Sequence, residues 1–152
     1  MRKPKVWVVV ADGARGRFFQ LSEGHELVSV YAHELVGEAL ASRDLASDRP
    51  GRTFERGGDG RHAMEPHSDP KRYAKTVLAR EIGRLLEAER KKRSFDHLVV
   101  VAPPQFLGDL RGAMSKPLQE LIATEINKDL SKLAPHQLKI QLGDVLFIRP
   151  PL

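Results

Sequence analysis

The chain has 152 residues, 41% hydrophobic and 30% charged, which fits one globular domain able to bury a core without covalent staples. It contains no cysteine, so disulfides, thiolate metal sites and cysteine nucleophiles are excluded. A net charge of +5 suits RNA, a ribosome surface or anionic lipid as a partner, and equally suits plain solubility.

The N-terminus is positive through Arg2, Lys3 and Lys5, but the apolar run Val6–Ala11 is too short for a signal-peptide core and meets Asp12-Gly13 at once. No stretch approaches the ~18 apolar residues that span a bilayer. A cytoplasmic location without membrane insertion is therefore expected. Val6–Ala11 reads as a buried central strand, because β-branched residues run through it without polar alternation. Asp12-Gly13 is a turn signal, and Arg17–Leu21 resumes as a strand to complete a hairpin. After the turn at Ser22-Glu23-Gly24, residues Glu26 to Leu35 alternate. Val28, Val30 and Ala32 fall on one side, Ser29, Tyr31 and His33 on the other, which predicts the third strand of an antiparallel meander.

From Gly37 to Asp69 no apolar period of 2 or 3.6 is present, and the stretch reads as one long loop. Such a loop in a compact domain tends to be a binding loop or a lid. Arg43, Arg49, Arg52, Arg56, Arg61, His62 and His67 are interleaved with Gly51, Gly57, Gly58 and Gly60. Glu38, Asp44, Asp48, Glu55, Asp59, Glu65 and Asp69 nearly balance the charge.

Asp69 as N-cap and Pro70 at the first helical position open a long amphipathic helix. Ala74, Leu78, Ile82 and Leu85, with Val77 and Leu86, form its apolar stripe, and Arg80, Arg84, Glu87 and Lys91 its opposite side. Residues 71–93 carry nine Lys or Arg against Glu81, Glu87 and Glu89. The run Arg90–Arg93 closes the helix where cations favour its dipole. His97–Ala102 is a further buried strand, ended by Pro103-Pro104. Gln105 to Met114 and residues 116–121 read as two helical pieces, the first packed by Phe106, Leu107 and Leu110, with Gly108 allowing close approach. Ile122 to Lys128 fits either strand or helix. Pro135 to Leu142 is a helix, and Gly143 to Leu152 an edge strand or tail. A three-strand antiparallel meander followed by alternating helices and strands gives a single α/β domain with a mixed sheet over residues 1–142.

Two chemical constellations can be weighed. Metal-assisted hydrolysis needs carboxylates converging on one or two ions. Asp12, Asp44, Asp48 and Asp109 are the candidates, but no spacing ties them together, and Asp12 before Gly13 is explained by turn chemistry. His62, Glu65, His67 and Asp69 could all ligate a transition metal, yet solvated loop residues account for them as well. Ser115 and Ser131 fit helix N-caps. No cofactor is implied.

Four stretches, Asp12-Gly13-Ala14-Arg15-Gly16-Arg17-Phe18, Arg49-Pro50-Gly51-Arg52-Thr53-Phe54, Ala102-Pro103-Pro104-Gln105-Phe106-Leu107-Gly108-Asp109-Leu110-Arg111 and Glu125-Ile126-Asn127-Lys128-Asp129-Leu130, together resemble the host-attachment family of bacterial proteins, over roughly Lys5 to Leu142. That family is in turn similar to the middle domain of archaeal and eukaryotic release factors and of Pelota. The resemblance implies a ribonuclease-H-like fold, with Ile122–Lys128 as a strand. In release factors the loop before the first long helix carries Gly-Gly-Gln. Here Gly57-Gly58-Asp59 stands in that loop, so peptidyl-tRNA hydrolysis is not expected while ribosome binding is. The expectation is a non-catalytic module that contacts the ribosome or structured RNA. Arg49, Arg52, Arg56, Gly57, Gly58, Asp59 and Arg61 would make the contact, joined by Lys71, Arg72 and Lys75. The alternatives are an attachment factor binding a protein or acidic polysaccharide, and a Mg²⁺-dependent nuclease built on Asp12.

Overall fold

The computed structural model describes residues 3–37 and 69–148. Strand β1 (Val6–Ala11) pairs antiparallel with β2 (Arg15–Leu21) and parallel with β5 (His97–Ala102). Two short strands, β3 (Leu27–Ser29) and β4 (Leu35–Val36), succeed one another along the far edge of β2. Strand β6 (Ile122–Asn127) joins β5 in parallel, giving the order β3-β2-β1-β5-β6. This is the mixed α/β sheet expected from the sequence, and it is compatible with a ribonuclease-H-like arrangement.

Helices cover both faces of the sheet. Along β1, Trp7, Val9 and Ala11 face one core and Val6, Val8 and Val10 the other. Both faces are dry, which is why the run is apolar throughout. The first core is closed by α1 (Pro70–Lys91), α2 (Pro104–Ala113) and α3 (Lys116–Gln119), through Leu78, Ile82, Leu86, Phe106, Leu110 and Leu118. Full burial of a Leu or Ile contributes roughly 1.5–3 kcal/mol, so these six anchor that layer. The second core takes Leu138 from α4 (Pro135–Gln141), Leu142, and Leu146 from α5 (Gly143–Ile148).

Helix α1 packs closely. A Cβ on Gly83 would stand 2.5 Å from the Ala113 carbonyl oxygen, while Gly108 in α2 has open space around it. The close approach expected at Gly108 therefore belongs to Gly83. Asp69 caps α1 as anticipated, accepting from the Lys71 N–H at 3.1 Å. Ser115 likewise caps α3 through the Leu118 N–H.

Three elements differ from expectation. The segment Glu26–Leu35 is not one strand: the chain bends at residues 30–33 between β3 and β4. Val28 is 53% exposed, while Tyr31, assigned to the polar side, turns inward. Its ring meets Trp7 edge-on at 6.2 Å and Phe18 edge-on at 5.5 Å, and Phe95 lies 5.1 Å from Trp7. The Tyr31 hydroxyl donates to Glu89 Oε2 at 2.8 Å. Burial first, and that bond second, raise the phenol above its usual range. Aromatic contacts and one half-buried hydrogen bond outweigh strand alternation here. Second, Gly143–Ile148 is helical rather than an edge strand, because burying Leu146 beside Leu142 completes the second core. Third, Ser131 is not an N-cap; α4 starts after Ala134.

Candidate functional site

Open α/β sheets place ligands beyond the carboxyl ends of their parallel strands. Here those ends are Ala11, Ala102 and Asn127, and the β1–β2 turn stands at the first of them. Asp12 builds the turn: its Oδ1 accepts the Ala14 and Arg15 N–H groups at 2.9 and 3.0 Å. Gly13 sits at φ +90, a conformation that only glycine adopts freely, with Lys75 side-chain carbons 3.2–3.3 Å from where a Cβ would be. Gly37 donates its N–H to the Ala14 carbonyl at 2.7 Å. Residue 37 and the second turn of α1 thus meet at one turn.

The other oxygen of Asp12 faces the loop after β6. Ser131, 2% exposed, has its hydroxyl 2.7 Å from Asp12 Oδ2 and 2.8 Å from Asp129 Oδ1, so one proton serves two carboxylates. Arg15 Nε lies 3.5 Å from Asp12 Oδ2 without a hydrogen bond. Arg17 Nη1 donates to the Ser131 and Leu133 carbonyls at 3.0 and 2.6 Å, and its guanidinium lies 5.0 Å from the Phe19 ring centroid. Burial lowers the guanidinium's proton affinity, and Glu34 opposes that effect. Arg17 latches the 128–134 loop across the sheet end. Arg17 did not stand out in the sequence as structural, and Ser131 did so only as a helix N-cap; Asp129-Leu130-Ser131 was the available signal, an Asx turn in which the Ser131 N–H meets Asp129 Oδ1.

Among the expected contact residues, Arg49, Arg52, Arg56, Gly57, Gly58, Asp59 and Arg61 lie outside the described residues, as do Asp44, Asp48, His62, Glu65 and His67. Lys71, Arg72 and Lys75 sit together in the first two turns of α1. Arg72 is already committed, binding both carboxylate oxygens of Asp109 in α2. Lys71 and Lys75 make no ion pair with any described residue. Of the carboxylates weighed for hydrolysis, the two that are described are also spent, Asp12 on the turn and Ser131, Asp109 on Arg72. Among the described residues no three His, Asp or Glu converge as metal ligands, and no helix is long and apolar enough to cross a membrane. What this end of the sheet offers is Lys75 against the β1–β2 turn, with Lys71 one helical turn before it; Arg15 is taken up by Asp12 and Glu34.

No curated protein sequence matches the chain. A family model described as "protein required for attachment to host cells" matches residues 7–142, from β1 to the end of α4, and the chain accordingly belongs to that host-attachment family.

Proposed function

We propose that the protein serves attachment as a non-catalytic binding module, contacting the ribosome or structured RNA through Arg49, Arg52, Arg56, Gly57, Gly58, Asp59 and Arg61 with Lys71 and Lys75. The observation that carries this reading is the β1–β2 turn. It gathers residue 37 and Lys75, which pairs with no described carboxylate, at the carboxyl end of the sheet, while Asp12 and Asp109, the described carboxylates weighed for hydrolysis, serve as structural bonds. Cations on a rigid base bind phosphates with little ordering cost. Arg72 supports the site by fixing α1 to α2 and does not itself meet the partner. Co-sedimentation with ribosomes across a salt series tests the reading, beside Arg52→Ala/Arg56→Ala and Lys71→Ala/Lys75→Ala variants. Association that weakens steeply with salt and is lost in both variants is expected. Migration free of ribosomes at every salt concentration would refute it and direct the search to acidic polysaccharides and proteins.

A further inference from the structure

The outward side of α1 carries a second array of cations, away from the β1–β2 turn. Tyr73, Val77, Arg80, Arg84 and Lys91 follow one another at i, i+4, i+7, i+11 and i+18, and 3.6 residues per turn brings them into one row. The row lies opposite Ala74, Leu78, Ile82 and Leu86, which are buried in the core. Tyr73 is 61% exposed, and Arg80, Arg84 and Lys91 are exposed. Arg80 and Arg84 make no ion pair with any described residue. The helix's acids pair elsewhere or lie off the row. Glu87 pairs with Arg90 and bonds Ser115, with a weaker attraction to Lys91. Glu89, bonded to Tyr31 and Ser94, lies about 160° round the axis from Tyr73. Glu81, about 60° round from Arg84, makes no ion pair with any described residue.

We propose that this row is a docking track for duplex RNA, gripped through its phosphates without sequence readout. At 1.5 Å per residue, Tyr73 to Lys91 spans about 27 Å along a straight helix, a shape suited to a stiff duplex. The row contains no Asn or Gln to read base edges. It offers one aromatic ring, where single-strand binders stack successive bases on several; the Tyr73 hydroxyl can instead donate to a phosphate oxygen. A protein interface is built round a buried apolar core, and here the half-buried Val77 and one exposed ring, Tyr73, are all the row supplies towards one. A bilayer would want an insertable apolar side, which α1 spends on the core. The track shares its ligand class with the reading above but none of its residues.

Fluorescence anisotropy of the intact protein with a labelled RNA duplex of about 16 base pairs, from about 50 to 200 mM salt, tests the track. The variants are Arg80→Gln/Arg84→Gln/Lys91→Gln and Lys71→Gln/Lys75→Gln, each checked for an unchanged melting temperature. The triple variant is expected to reduce the slope of log affinity against log salt by about 2–3, near one unit per lost phosphate contact. An unchanged slope in the triple variant overturns the proposal. So does the absence of duplex binding by the unmodified protein at the lowest salt, or stronger retention on phosphatidylserine vesicles or heparin than on RNA at equal charge. If ribosome co-sedimentation holds while the triple variant keeps its slope, the track alone falls. If the slope drops while ribosomes are never bound, the track stands and the ribosome reading falls.

Discussion

The Gly83 contact gives a prediction whose sign runs against helix propensity. Gly83 lies mid-way along α1, where replacing glycine by alanine ordinarily gains about 1 kcal/mol. The added Cβ, however, would stand 2.5 Å from the Ala113 carbonyl oxygen and 3.2 Å from its carbon. Backbone atoms cannot swing aside as a side-chain end can, so α1 and α2 must move apart. Inserting one carbon into a packed contact costs typically about 1–3 kcal/mol, and separation by even ~0.5–1 Å forfeits a quarter to a half of the dispersion energy of the atoms concerned. The propensity gain offsets only part of this, leaving Gly83→Ala less stable by about 1–2 kcal/mol. At ~2–4 °C per kcal/mol for a domain of this size, melting should fall by roughly 2–8 °C. Gly108→Ala is the internal control: also mid-helix, it has nothing within 4 Å of the added carbon and should melt about 2–4 °C higher. Thermal and urea denaturation followed by circular dichroism reads both. Shifts of the same sign in the two variants would refute the packing account.

Two further outcomes follow from single side chains. Arg17→Met keeps the packing against Phe19 but removes the donor shared by two carbonyls. A loss of about 1.5–3 kcal/mol in urea denaturation is expected, with amide exchange quickening first in residues 128–134; uniform exchange changes would contradict the latch. The Glu87 carboxyl is held at about 2, by its bonds from Arg90 first and Ser115 second. A folded-state value below the unfolded one of about 4.3 adds stability that is present above that pH and lost as pH falls towards 2. Glu87→Gln should therefore trail the unmodified protein in denaturation midpoint near neutrality and match it by about pH 2; a constant gap would be inconsistent with this ionisation.

The sequence revealed most where one residue type has one physical use. The unbroken apolar runs of β1 and β5, the Asp12-Gly13 turn and the Asp69-Pro70 helix start could all be read directly. Where several forces compete it misled. Alternation from Glu26 to Leu35 looked like one strand, but Tyr31 gains more from Trp7, Phe18 and Glu89 than from a ladder position. Ile122–Asn127 is only half-buried and carries no clear period, so the family resemblance was needed to read it as strand. Gly108 attracted the close-approach reading because it lies in a dense apolar stretch; only tertiary placement identifies Gly83. At the site, Lys71, Arg72 and Lys75 do fall on the first two turns of one helix, yet Asp109, 37 residues from Arg72 in the chain, could not be seen as its partner.

The parallel pairing of β1 bears on how the chain acquires its structure. Val8 meets Phe19 in a short hairpin but meets Val99 only 91 residues after itself. During synthesis at about 5–20 residues per second, roughly 4–16 seconds separate the two events. Through that interval Val6–Ala11 is a bare, apolar edge, the kind of template on which chains pair wrongly with one another. The hairpin shields one side of β1 early; the other waits until about two thirds of the chain has been made. Slow or truncated synthesis should therefore be the condition under which this protein aggregates, whatever the stability of its finished form.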